Sequence, residues 1–171
     1  MLRPISMKTQ MESDEGGHCI GGPPMLHELI VESRSVADTH KLARHLLRQF
    51  PARVALALHG ELGSGKTCFV QGLAAALGVD RPVTSPTFTL VHEYRGSRTL
   101  VHVDLYRIRD SDDAVMLGLE EYFDSDGITA VEWAERAADV FPRDTIHLHF
   151  QNLDSPHARR ITVRSSVPLH G

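Results

Sequence analysis

The chain has two cysteines in 171 residues, Cys19 in a glycine-rich stretch and Cys68 far from it. That is too few and too scattered for a disulfide framework or a zinc site, so reduced thiols are expected. It also lacks an apolar run near the ~18 residues a membrane span needs, and its first fifteen residues lack the continuous apolar stretch of a secretory signal. Cations are scarce too: 18 Lys and Arg stand against 22 Asp and Glu, a formal charge of -4. Phosphate neutralisation supplies most nucleic-acid affinity, so this balance argues against autonomous DNA or RNA binding and leaves any RNA contact local or shared with a partner. The expectation is a cytoplasmic protein with no membrane association. Its length and 42% hydrophobic content suit a single buried core.

Residues 1–24 carry Gly16-Gly17, Gly21-Gly22 and Pro23-Pro24 without helical or strand periodicity. Ordering them would cost backbone entropy for little burial, and they are expected to form a disordered extension. Met25 opens a sequence that reads as folded at once, which makes Met7, Met11 and Met25 each a candidate start of translation. The folded domain is expected over 25–165, with 166–171 a flexible tail. Leu26–Val31 suits a first strand at the sheet edge, and Ser35 with Asp38 has the form of a capping box before Leu42, Leu46 and Phe50 at helical spacing. Val54–Leu58 is a near-continuous apolar run, the mark of a strand covered on both faces. A helix should follow over 66–77. Residues 88–94 and 99–106 read as strands joined tightly enough for an antiparallel hairpin, 112–123 as a helix, 128–133 as a buried strand, and 146–150 and 160–163 as closing strands. The fold class expected is α/β: a three-layer P-loop NTPase-like domain, its mixed central sheet including an antiparallel hairpin, with helices on both faces.

Gly60-Glu61-Leu62-Gly63-Ser64-Gly65-Lys66-Thr67 fits G-x-x-x-x-G-K-[ST] between an apolar strand and a helix, the context that motif needs. Glycines let successive backbone N–H groups converge on phosphate oxygens, the helix N-terminus adds positive potential, and Lys66 reaches the β- and γ-phosphates as a mobile point charge. Thr67 can offer its hydroxyl to magnesium, which prefers oxygen ligands. The loop therefore points to ATP with Mg²⁺. An acid at the end of a neighbouring buried strand should hold the magnesium hydration shell, and two are available: Asp104 after Leu100–Val103 and Glu132 after Ile128–Val131. Spacing does not decide which lies nearer the metal. The hydroxyl-rich stretch Thr84–Thr89, stiffened by Pro82 and Pro86, is either a segment that senses the γ-phosphate or an ordinary loop.

The phosphate loop, Ser85-Pro86-Thr87-Phe88-Thr89-Leu90-Val91, Asp104-Leu105-Tyr106-Arg107, Gly118-Leu119-Glu120-Glu121-Tyr122-Phe123 and Val131-Glu132-Trp133 occur in one order across about residues 26–165. In this set the chain resembles the bacterial TsaE (YjeE) family. The resemblance implies a small P-loop ATPase required for threonylcarbamoyladenosine in tRNA, beside the anticodon, in tRNAs that read codons starting with A. It implies action on a TsaB-TsaD complex, with tRNA met only through that complex and slow ATP hydrolysis resetting it between rounds. Position by position, Lys66 would bind phosphate and Thr67 and Glu132 would arrange magnesium. Asp104 would be the other acid essential to hydrolysis, and Thr87 would belong to a switch-like loop. Trp133, the one tryptophan, would lie beside the nucleotide, the segment around Ser35 and Thr39 would approach the adenine edge, and Arg159 or Arg160 would reach phosphate or RNA. Cys68 stands where the family commonly has a second threonine.

The rival reading is a small P-loop kinase phosphorylating a small molecule or nucleoside, with Arg107 and Arg109 cast as lid residues. A GTPase would need a guanine-reading Asn-Lys-x-Asp motif, and none is present. The eleven histidines, His102, His147 and His149 among them, sit in strand patterns without metal-ligand partners and read as surface or packed residues.

Overall fold

The computed structural model describes residues 4–11, 25–155 and 157–168. Its eight strands form one sheet in the order β1-β2-β8-β7-β3-β6-β5-β4. In chain order these are β1 (Pro4–Met11), β2 (Met25–Ser33), β3 (Arg53–His59), β4 (Val91–Arg95), β5 (Thr99–Asp104), β6 (Gly127–Glu132), β7 (Ile146–Asn152) and β8 (Arg159–Ser165). The four central strands β7, β3, β6 and β5 run parallel, while β4 on one side and β8, β2 and β1 on the other are antiparallel additions. Burial follows from this placement. Val54–Leu58 in β3 and all of β6 are buried, as strands covered on both faces must be.

Two helix layers provide the covering. Val54, Leu56, Leu58, Ile128 and Ala130 point into a core shared with α1 (Val36–Leu47) and α2 (Lys66–Ala76). Ala55, Val101, Val103 and Val131 point into the opposite core, against α3 (Ser111–Met116), α4 (Leu119–Asp124) and the 3-10 turns at Ala134–Val140. The result is the three-layer, P-loop NTPase-like domain that the strand and helix pattern predicts. α1 starts at the expected cap: the Asp38 N–H donates to Ser35 Oγ at 3.1 Å and Ser35 Oγ donates to Asp38 Oδ2 at 2.9 Å. That second bond holds the Asp38 carboxyl below its ordinary range.

Four expectations need correction. Residues 4–11, expected to be disordered, form β1 along the free edge of β2, so β2 is not the edge strand. Ile5, Met7 and Met11 alternate with Ser6, Lys8 and Gln10, a strand pattern that is short, interrupted by the polar Thr9 and followed by glycine- and proline-rich sequence. The rest of the predicted extension, Cys19 included, lies outside the described residues, as do 169–171 of the predicted tail. The strand expected from Phe88 begins only at Val91, because Leu90 turns the chain at φ 66 and its N–H donates to Pro86 O at 2.6 Å. The helix expected over 112–123 is two short helices broken at Gly118, φ 74. The 3-10 turns after β6 had no periodic signal.

Candidate functional site

In parallel register, the carboxyl ends of β3, β6 and β5 finish side by side: Leu58 pairs with Glu132, and Asp104 pairs with Glu132 from the other side. The chain leaves β3 through the glycine-rich loop and re-enters helix at Lys66, so the N-terminus of α2 points over this crevice, where open α/β sheets bind ligands. A cleft of about 400 Å³ opens there, lined by residues of the loop together with Thr87, Asp104, Glu132, Trp133 and Arg159.

The loop geometry permits only glycine at two points. Gly60 has φ 140, and a Cβ on it would lie 2.5 Å from the Phe150 carbonyl oxygen and 2.8 Å from Ser64 Oγ. Gly65, the helix N-cap at φ 104, would drive a Cβ to 2.5 Å from the Arg159 guanidinium. A cradle this close to backbone and cation has the shape and charge for an anion. Ser64 Oγ, 1% exposed, and Arg159 Nε are both buried without a protein partner, as donors awaiting a ligand would be.

Lys66 is the first helical residue. Its ammonium donates to the carbonyls of Gly60 (2.5 Å) and Glu61 (3.0 Å) and lies 3.9 Å from the centroid of the Trp133 ring. Burial pushes its pKa down from the ordinary lysine value, opposed by the carboxylates of Glu132, Glu135 and Asp104. Trp133 holds its place over Lys66 with φ 60, an uncommon conformation for a non-glycine residue, and packs against Tyr106 with ring centroids 5.0 Å apart.

The two acids, 2% and 3% exposed, are separated by their partners. Thr67 Oγ1 donates to Glu132 Oε1 at 2.8 Å. Asp104 instead gathers the hydroxyl-rich stretch: Thr87 Oγ1 donates to its Oδ2 at 2.6 Å, Ser85 Oγ donates to the same oxygen, and the Tyr106 N–H donates to Oδ1 at 2.9 Å. Glu132 is therefore the acid beside the loop threonine and Asp104 the acid that fastens Thr84–Thr89. An oxygen set of threonine hydroxyl and buried carboxylate suits magnesium, so the residues present fit both a nucleotide phosphate and its metal.

Most of the predicted residues meet here: Leu62, Gly63, Ser64, Gly65, Lys66, Thr67, Cys68, Thr87, Asp104, Glu132, Trp133 and Arg159 all line the cleft. Gly60 and Glu61 contribute carbonyls behind Lys66. Ser35 does not line the cleft, and its hydroxyl is committed to capping α1. Arg160 faces Glu32 at 3.8 Å. Burial raises the Cys68 thiol above its usual pKa, which disfavours the thiolate. Ser85 and Tyr106, which the sequence placed in motifs but gave no individual role, join the site, and His102, read as a surface or packed residue, proves to touch Glu132. The arginines a kinase lid would need are elsewhere: the Arg107 guanidinium covers the Phe88 ring at 4.4 Å and Arg109 pairs with Asp113 at 3.0 Å.

Comparison with known proteins decides the family. The family model described as threonylcarbamoyl adenosine biosynthesis protein TsaE matches residues 33–161. The chain belongs to the TsaE family. It is 39% identical to the tRNA threonylcarbamoyladenosine biosynthesis protein TsaE of Treponema pallidum over 77% of this chain and 96% of that protein. Identity to the TsaE of Aquifex aeolicus is 45% over 66% of this chain and 80% of that one. The crystal structure of Bacillus subtilis YdiB superposes with a TM-score of 0.72 at 30% identity, covering 84% of this chain and 88% of that one. The matched TsaE region begins in β2 and ends in β8, so β1 lies outside it. No described helix is long and apolar enough to cross a membrane.

Proposed function

We propose that this chain binds ATP with magnesium in the cleft and hydrolyses it slowly, in the service of threonylcarbamoylation of adenosine beside the anticodon of tRNA. The observation that carries the reading is the Thr67–Glu132 hydrogen bond at the foot of the phosphate loop, which pairs the hydroxyl and the acid of a magnesium-nucleotide site. Family membership, with relatives named for threonylcarbamoyladenosine biosynthesis, supports the tRNA role.

Magnesium, when bound, would neutralise charge developing on the phosphates, held through Thr67 and Glu132. The protein's own groups do the rest. Lys66 exchanges two neutral carbonyls for anionic phosphate oxygens, a stronger partner, with its ammonium already aimed along the loop. The loop amides and the α2 N-terminus bind the remaining oxygens, and Arg159 brings a second cation to the same wall of the cleft. Asp104 holds Ser85 and Thr87 against the cleft, and the segment it fastens carries Phe88, 83% exposed.

Asp104, the cleft acid not bonded to Thr67, is already committed to three donors in this arrangement, which leaves it little capacity to orient an attacking water and predicts weak hydrolysis by the chain alone. Docking of a TsaB-TsaD type complex would raise turnover by rearranging the segment around Thr87, with tRNA engaged through that complex. The test is ATP hydrolysis by the wild type and Lys66→Ala, alone and with TsaB-TsaD and tRNA. Weak hydrolysis lost in the variant, stimulated by the complex and required for repeated tRNA modification, supports the reading. Unstimulated hydrolysis, or modification indifferent to the chain, sinks it.

A further inference from the structure

His102 is fully buried in β5, in a strand where an apolar side chain would suit packing better. Leu100, His102 and Asp104 share the sheet face that turns toward α2, while Val101 and Val103 fill the opposite core. The residue paired with His102 across β6 is Ala130, whose small side chain leaves room for the imidazole to reach diagonally to Glu132. There His102 Nε2 lies 2.8 Å from Glu132 Oε1, and Nδ1 has no partner. A ring carrying its proton on Nε2 leaves only a bare lone pair on Nδ1, a smaller cost than an orphaned N–H, so His102 donates and Glu132 accepts. Thr67 Oγ1 donates to that same Oε1. Two donors thus converge on one carboxylate oxygen, and Oε2 has no hydrogen-bond partner among the described residues.

We propose that His102 is a positioning residue for the magnesium site: its imidazole fixes the rotation of the Glu132 carboxylate so that Oε1 stays with Thr67 and Oε2 is presented to the metal's hydration shell. This rests on the reading of Thr67 and Glu132 given above. Outer partners of this kind typically change metal affinity or activity by about 10–100-fold when removed.

The experiment measures how magnesium changes the affinity for a non-hydrolysable ATP analogue, read from Trp133 fluorescence, in the wild type, His102→Gln and His102→Asn. A glutamine amide reaches the position of the imidazole Nε2, whereas an asparagine amide stops short at that of Nδ1. In His102→Asn the magnesium concentration at half effect should rise at least ~10-fold, while His102→Gln stays within about threefold of wild type. Magnesium-free nucleotide affinity should be unchanged in all three, because Lys66 and the loop amides are untouched. A folded His102→Asn with wild-type magnesium dependence overturns the proposal, as does equal impairment of both variants. Absence of any magnesium effect in the wild type would instead defeat the site reading itself. Long-range proton–nitrogen NMR of the wild type needs no variant: a proton on Nε2 of His102 supports the proposal, and a bare Nε2 contradicts it.

Discussion

Asp104→Ala removes the carboxylate that takes hydrogen bonds from Ser85, Thr87 and the Tyr106 backbone while leaving Thr67 and Glu132 in contact. A hydrogen bond to a charged group contributes about 1.5–3 kcal/mol. The three are not additive, and the Ser85 and Thr87 hydroxyls still meet each other at 2.9 Å, so the segment should lose roughly 2–4 kcal/mol of local stability. At ~1.4 kcal/mol per decade the lower figure is an opening about 30-fold more frequent. Hydrogen–deuterium exchange on residues 84–92 of the nucleotide-free protein reads this directly. Exchange should accelerate by at least that factor, partner-stimulated hydrolysis should fall, and magnesium-dependent nucleotide binding should survive. Glu132→Gln should do the reverse, losing magnesium dependence with little change in exchange of that segment. Unaltered exchange in Asp104→Ala, or loss of magnesium dependence equal to that of Glu132→Gln, would refute the division of labour between the two acids.

Other outcomes follow from the same structure. Gly60→Ala places a methyl against the Phe150 carbonyl at φ 140 and should cost about 1–3 kcal/mol, seen as a melting temperature lower by roughly 3–10 °C, together with loss of nucleotide binding. Ser35→Ala should cost about 1 kcal/mol in chemical denaturation through the lost α1 cap while leaving nucleotide affinity intact, which tests whether Ser35 has any part in adenine recognition. His59, His147 and His149 are stacked beside Glu135 and Arg164, and burial first, then the charge of His59, pushes His149 down to about 4 from 6.5. The unfolded chain then binds more protons between those values, so stability should fall as pH drops from 6.5 towards 4. His149→Phe should flatten that part of the profile if the sign is right.

The site was legible where chemistry constrains residue type at short range. The glycine spacing, Lys66 and Thr67 announce an anion cradle within eight residues, and the acids after apolar runs mark strand ends at one edge of a parallel sheet. Which acid serves which partner was not legible from spacing and was suggested only by the family resemblance, because it depends on register between β5 and β6 and on the path of residues 84–90, where Leu90 turns unexpectedly. His102 escaped notice for a related reason: its role comes from a diagonal contact opened by Ala130 on another strand. β1 carries only a short alternation of Ile5, Met7 and Met11 with polar residues, interrupted by Thr9, which is too brief to stand out beside the glycines and prolines that follow it. The cap formed by Ser35 and Asp38 was legible from their three-residue spacing alone, because that bond is local.

Calorimetric titration of ATP into the purified chain, with and without magnesium, and into Lys66→Ala, tests the central claim most directly. One nucleotide bound per chain, tighter with magnesium and lost in the variant, is the predicted result. No binding, or binding indifferent to both magnesium and Lys66, would show that the cleft above β3, β5 and β6 is not a magnesium-nucleotide site.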